Sequence, residues 1–317
     1  MSKVVLLKVK DIEKSLIECT ALLGGIDEFV KKGDKVLIKP NLCTVKNYLT
    51  GATTDPALVE NIIEILQSFT KDISIIESDH SAVDAQYAFE ALGFKSIAEK
   101  YGIMTVNLSD KRMLVDVDIE NGLYFKTIKV HKAILEADLI INVSILKTNE
   151  ISTITVSLKN MIGILPDREK AKYHSNIDEV ITDINKIIVN KKLIIVDGRI
   201  GMEGNGPISG TPVKNDILIM SDDPVAADYI SAKVMGFDPD SIKYIGLSEK
   251  AGIGTSKNIE MLGIPLNSII KPFKVPSKLD KKRKMRYFIL KNKFMASVLS
   301  LFLSKIKFYS NLIWHNT

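Results

Sequence analysis

Short, nearly continuous apolar runs rich in Val and Ile recur along the chain, at residues 4–9, 36–38, 73–76, 139–143, 193–196 and 217–220. Runs without polar alternation fit strands buried on both faces, as inside a parallel sheet. Between them lie segments with recognisable helix starts. Asp55-Pro56 can cap a helix ending near Phe69, and Asp223-Pro224 one ending at Gly236, each with proline at the first helical position, where its missing N–H is not needed. This alternation predicts an α/β fold, a doubly wound, mostly parallel or mixed sheet with helices on both faces. Residues 112–130, with a turn at Glu120-Asn121-Gly122, predict a hairpin, which makes the sheet mixed or adds a small subdomain.

Composition adds bounds. A chain of 317 residues that is 46% apolar buries a sizeable core and exceeds the usual single domain, so one large domain with an appendage is expected. Cys19 and Cys43 are the only cysteines, which leaves a disulfide scaffold, a zinc ribbon and a cysteine-ligated iron–sulfur cluster unsupported. The N-terminal apolar run turns polar within a few residues and reads as a first strand, giving a cytoplasmic expectation.

Charge divides the chain. Residues 271–317 carry twelve Lys and Arg against one acid, a net +11, so the formal +5 of the whole leaves −6 for residues 1–270. The basic balance therefore belongs to a tail, and no nucleic-acid partner is expected of the body. In that tail, Lys281-Lys282-Arg283-Lys284 precede an apolar segment whose uninterrupted run, 294–303, falls short of the roughly 20 residues a bilayer span takes. It predicts an amphipathic helix on an anionic membrane surface or a partner protein, and a division into an α/β domain, 1–270, and a tail, 271–317.

Candidate chemistry follows the apolar runs. Lys39-Pro40-Asn41, Glu77-Ser78-Asp79-His80, Lys147-Thr148-Asn149 and Asp197-Gly198 each stand at the end of a predicted strand. Open α/β sheets bind ligands outside the carboxyl ends of their strands, where loop amides and helix N-termini converge. Singly, each lysine could snorkel into water and each aspartate cap a helix; their recurrence at equivalent positions favours one site. A second cluster, Ser157-Leu158-Lys159-Asn160-Met161-Ile162-Gly163, places a lysine among apolar and small residues, where a desolvated pocket would lower its pKa. His174 follows after a charged loop and is a candidate for binding or proton transfer. The third cluster, 197–210, holds five glycines after a buried strand and could offer backbone amides to a phosphate or carboxylate. It has neither the dinucleotide fingerprint nor a P-loop spacing.

The succession of these motifs, with Thr-Thr-Asp-Pro at 53–56 and Asp-Asp-Pro-Val-Ala-Ala-Asp at 222–228, resembles the domain of unknown function 362 family over about residues 4–255. Some relatives carry a ferredoxin-like four-cysteine segment that this chain lacks, and where the family pattern commonly reads Lys-Thr-His this chain has Asn149. The resemblance implies functional positions at Lys39, Asn41, Thr54, Lys147, Lys159, Asn160, His174, Asp197, Gly204, Gly206, Asp223 and Asp228. A looser, architectural likeness is to the lactate racemase family, whose proteins pair strand-end polar residues with a Lys and a His.

Three readings compete. In the first, an enzyme binds a small phosphate- or carboxylate-bearing anion through Lys39, Lys147, Lys159 and the amides of the 204–210 loop, while Lys159, His174 and Asp197 act at the reacting atoms. No cofactor is named by any motif. In the second, a redox or metal-associated protein holds an ion with Glu77, Asp79, His80 and His174. In the third, a non-catalytic protein meets a membrane surface through its tail.

Overall fold

The computed structural model describes residues 2–188 and 191–276; the expected tail helix falls in 277–317 and lies outside the described residues. Nine strands form one mixed sheet, namely β1 (Lys3–Lys8), β2 (Val36–Lys39), β3 (Ile73–Glu77), β4 (Met104–Asn107), β7 (Leu139–Asn149), β8 (Thr153–Thr155), β9 (Lys191–Glu203), β10 (Thr211–Ser221) and β11 (Glu260–Gly263). Their order is β11-β1-β10-β9-β7-β2-β3-β4, with β8 folded back on the far end of β7. Neighbours from β9 to β4 run parallel, and β10 runs against both β9 and β1. The chain steps outward from β2 to β3 and β4, then returns to the other side of β2 as β7 and β9. The topological switch point therefore lies between β2 and β7. The expected hairpin exists: β5 (Leu114–Asp118) and β6 (Thr127–His131) pair antiparallel in a separate two-stranded sheet, with Asn121 at φ 51° in its turn.

Helices cover both faces, because successive strand residues point to opposite sides. Ile38, Ile141 and Leu193 meet α1 (Ile12–Leu22), α2 (Pro56–Leu66), α3 (Ala85–Ala91) and α4 (Phe94–Tyr101), while Leu37, Ile140 and Ile194 face the opposite core. That core is closed by α5 (Lys132–Glu136), α6 (Ser157–Asn160), α7 (Ile177–Ile187), α8 (Pro224–Val234) and α9 (Lys243–Lys250). Both predicted caps form: Asp55 accepts from the Ala57 amide, and Asp223 from the Val225 and Ala226 amides.

The largest departure from expectation concerns residues 197–210. Asp197 and Gly198 do not end a strand; β9 continues to Glu203, paired with β10. A Cβ on Gly198 would lie 2.5 Å from Ile217 Cγ1, and one on Gly201 would lie 2.8 Å from the Leu146 carbonyl oxygen. Those glycines serve packing inside a sheet rather than an open loop. Beyond the sheet, Phe273 is buried against Gly201 and its amide donates to Met235, so residues 271–276 run along the body. No helix among the described residues is long and apolar enough to cross a membrane.

Candidate functional site

A cavity of about 330 Å³ opens at the carboxyl ends of β2, β3 and β7, beside the switch point. At its floor Lys39, the last residue of β2, donates to Glu77 at 2.6 Å and to the Pro40 carbonyl at 2.7 Å. Glu77, the last residue of β3, also accepts from the Leu42 and Ser78 amides. Gly163 crosses this pair so closely that a Cβ would lie 2.6 Å from both Lys39 Nζ and Glu77 Oε1, so a larger residue there would have to displace the pair.

Lys147 is wholly buried in β7. Its Nζ donates to Asn41 Oδ1 at 2.7 Å and to the Ala52 carbonyl at 2.9 Å, and reaches Cys43 Sγ at 3.6 Å. Burial holds this ammonium below the ordinary lysine range. From Asn41 a chain of side-chain amides runs to Asn160 at 2.8 Å, on to Asn142 at 2.8 Å, and ends on the Ser157 carbonyl. Thr54 stands behind that chain, accepting from the Asn41 amide and donating to the Val143 carbonyl, and does not line the cavity.

The segment bearing Lys159 is held from the opposite side. Asp228, fully buried on α8, accepts from the Ser157 amide at 2.8 Å, from the Ser157 hydroxyl at 2.5 Å, from the Leu158 amide at 3.3 Å and from the Tyr244 hydroxyl at 3.2 Å. Burial pushes the Asp228 carboxyl up to about 7 against the pull of those donors. Lys159 then reaches into the cavity, half-buried, with no hydrogen bond or ion pair among the described residues. Burial first, and the charge of Lys147 second, bring its ammonium down to about 8.

The short helical segment Lys170–Asn176 supplies the remaining wall. Lys170 donates to Ser78 Oγ at 2.9 Å, to the Asp167 carbonyl at 3.0 Å and to the Asp79 carbonyl, and burial lowers it to about 8. His174 lines the cavity from the same segment, and His80 from beyond β3. Burial, reinforced by Lys170, holds the His80 imidazole below its ordinary range.

Of the residues expected from sequence, Lys39, Asn41, Lys147, Lys159, Asn160, His174 and Gly206 line this cavity. Asp197 does not. It faces the α2 side of the sheet, where Arg199 Nη2 lies 2.8 Å from it and 2.9 Å from Asp55, the cap of α2. The expectation that Asp197 acts beside Lys159 and His174 is therefore corrected, because the parity of β9 turns it to the opposite face. Asp223 is committed to capping α8, and to Ser2 and Thr255, while Asp228 acts on α6; neither lines the cavity.

Three amides of the 204–210 turn are committed within the protein. Gly204 donates to Lys274, Gly206 to Gly204 and Ser209 to Asn205. Gly206 is required because a Cβ would lie 2.0 Å from the Thr148 carbonyl oxygen. Asn149, in the position where a histidine was expected, accepts from the Ile151 and Ser152 amides and shapes the turn into β8. The metal set Glu77, Asp79, His80 and His174 does not assemble. Among the described residues no three His, Cys, Asp or Glu side chains converge, Glu77 faces Lys39, and Asp79 accepts from Asn107 and Ala85.

Sequence reasoning missed Lys170, which sits in Arg168-Glu169-Lys170-Ala171-Lys172 and reads as a solvated charge run. It placed His80 among the strand-end groups and in the metal set, without a role in proton transfer, and overlooked the clearance that Gly163 provides.

Residues 36–233, well over half of the chain, match the domain of unknown function DUF362, and the chain belongs to that family. It is 29% identical over 271 residues to a thylakoid-associated protein of the cyanobacterium Synechocystis sp., covering 81% of each chain. Two solved structures are similar at lower levels. A Thermotoga maritima protein shows 13% identity and a TM-score of 0.38, with 75% of this chain and 58% of that one covered. The lactate racemase apoprotein of Thermoanaerobacterium thermosaccharolyticum shows 12% identity and a TM-score of 0.45, with 78% of this chain and 56% of that one covered. The chain thus spans somewhat over half of each of those two proteins.

Proposed function

We propose that the protein is an enzyme that binds a small anionic molecule in the cavity at the β2–β7 switch point and moves a proton at it. The observation that carries this reading is Lys159, an ammonium with no hydrogen bond or ion pair among the described residues, inside a cavity otherwise walled by bonded lysines. An anion entering there gains an ion pair and loses little to competition from water. A group near 8 is mostly protonated at neutral pH yet able to release its proton, which suits a general acid or base. His80, held neutral, and His174 line the same cavity and are the candidate proton acceptors. Calorimetric titration of the full chain with carboxylated and phosphorylated metabolites, and separately with divalent metals, tests the reading. Binding that Lys159→Ala abolishes supports it; a panel without a binder, or equal binding by Lys159→Ala, overturns it. Metal binding lost in Glu77→Gln and His80→Ala would favour a metal-associated role instead.

We also propose that residues 271–317 hold the protein at an anionic membrane surface. Support comes from the +11 charge confined to that segment and from the thylakoid association of the cyanobacterial relative. Co-sedimentation with anionic and neutral vesicles is the test, comparing the full chain with one ending at Pro276. The truncation must spare Phe273, which packs in the body. Equal sedimentation of the two chains overturns the proposal.

A further inference from the structure

The identity of the anion can be narrowed by counting which donors the cavity leaves uncommitted. A lysine ammonium has three N–H groups. Lys147 directs its three at Asn41, Ala52 and Cys43, and Lys170 directs its three at Ser78, Asp79 and Asp167. Lys39 is neutralised by Glu77 at 2.6 Å. Lys39 also gives an N–H to the Pro40 carbonyl, so among the described residues Lys159 is the cavity lysine with no N–H assigned to a protein acceptor and the one placed to close directly on a ligand.

Phosphate sites ordinarily add backbone amides to their cations. Here the amides of Gly204, Gly206 and Ser209 in the glycine turn are bonded to main-chain carbonyls, and the start of α6 is occupied by the Asp228 carboxylate. Two anionic groups on one ligand would thus share a single ammonium, that of Lys159.

Much of the remaining wall is apolar, with His80, Asn149, Thr155 and His174 among its polar members. β7 carries the chain past Lys147 to Ile151 at the turn, and β9 carries it past Glu203 to Pro207 and Ile208, so these side chains surround the cavity beyond the lysines. Leu42, Ile162 and Ile177 line it as well. An anion at Lys159 therefore extends its remaining atoms largely against hydrocarbon.

Resting on the anion-binding reading, we infer that the ligand is a small monocarboxylate with a hydrocarbon body, its carboxylate on Lys159 and its body against Ile151, Ile162, Ile177, Pro207 and Ile208. The volume, about 330 Å³, lies at the small end of the range for small-molecule sites, which excludes a long acyl chain lying wholly inside.

The test is titration of the full chain with three probe series: straight and branched monocarboxylates of increasing length, dicarboxylates of matched length, and phosphate monoesters. Affinity is expected to rise roughly fourfold per added methylene until the cavity is full. Matched dicarboxylates and phosphate monoesters should bind at least tenfold more weakly. Ile151→Ala should lower affinity for the longer monocarboxylates more than for the shortest, flattening the rise with chain length, while Lys159→Met should remove binding of all of them. If phosphate monoesters or dicarboxylates bind most tightly and Lys159→Met still abolishes them, the monocarboxylate assignment is overturned while the anion site stands. If binding survives Lys159→Met, or no series binds, both fail.

Discussion

Two charged clusters sit on opposite faces of the sheet and differ in one respect. On the α2 face, Arg199 lies between Asp55 and Asp197 at 2.9 and 2.8 Å, and all three side chains answer one another while capping a helix. On the α6 face, Lys147 and Lys170 are held mostly by neutral oxygens, and Lys159 has no hydrogen bond or ion pair among the described residues. A closed ion-pair cluster can serve stability and orientation, whereas an open one keeps a charge for something outside the protein. The number of charged residues does not distinguish the clusters; their compensation does.

The sharpest way to break this comparison is to open the closed cluster. Arg199→Met leaves two buried carboxylates unpaired and should destabilise the fold by about 3–5 kcal/mol in urea unfolding. Ligand affinity per folded molecule should stay within twofold, because the cavity lies across the sheet. A stable Arg199→Met protein that has lost binding would show that the two faces are coupled and that Asp197 belongs to the working site after all.

A smaller effect is expected at the clamp that positions Lys159. Asp228→Asn keeps the shape but turns one acceptor into a donor against the Leu158 amide and the Tyr244 hydroxyl, costing about 2–3 kcal/mol. Since α6 would shift, ligand affinity should drop even at temperatures where the variant is fully folded, and a purely structural Asp228 would leave it unchanged. The wild-type clamp has its own pH signature. The Asp228 carboxyl is raised in the fold, to about 7, above its unfolded value, so its ionisation costs stability as pH rises towards 7 and the cost vanishes below the unfolded pKa.

Opening works in the other direction at Lys159. Its ammonium is destabilised by burial, so Lys159→Met should raise stability, on the order of 1 kcal/mol at pH 7, while binding disappears. A loss of stability would mean that Lys159 has a structural partner. The sign with pH is fixed as well. The folded value, about 8, lies below the ordinary lysine value, so the wild-type penalty is present below pH 8 and fades between about 8 and 10.5.

The smallest expected effect is the pH dependence of binding itself. Anion affinity should be flat near pH 7 and fall roughly tenfold per unit once Lys159 deprotonates above about 8. Titration of affinity between pH 6.5 and 9.5 reads it directly, and a profile flat throughout would remove Lys159 from the contact.

What was legible in the sequence is local chemistry. Apolar runs marked the strands because burial on both faces leaves no room for alternation, and Asp-Pro pairs marked the starts of α2 and α8 because capping requires only neighbouring atoms. The turn at Asn121 and the placement of Lys39 and Lys147 by the carboxyl end of the sheet were legible for the same reason. Tertiary structure decided the rest. Whether Asp197 faces the cavity depends on strand parity and on β9 continuing beyond its apolar run, and that extension is stabilised by β10, which follows it in the chain. Lys170 reads as one more solvated charge until Ser78, Asp79 and Asp167 surround it. Lysines at 39, 147, 159 and 170 look equivalent as residue types, and only the positions of remote carbonyls and carboxylates determine that, among the described residues, three are bonded and Lys159 is not. Local sequence can specify a donor, but its availability depends on acceptors that the chain brings back from a hundred residues away.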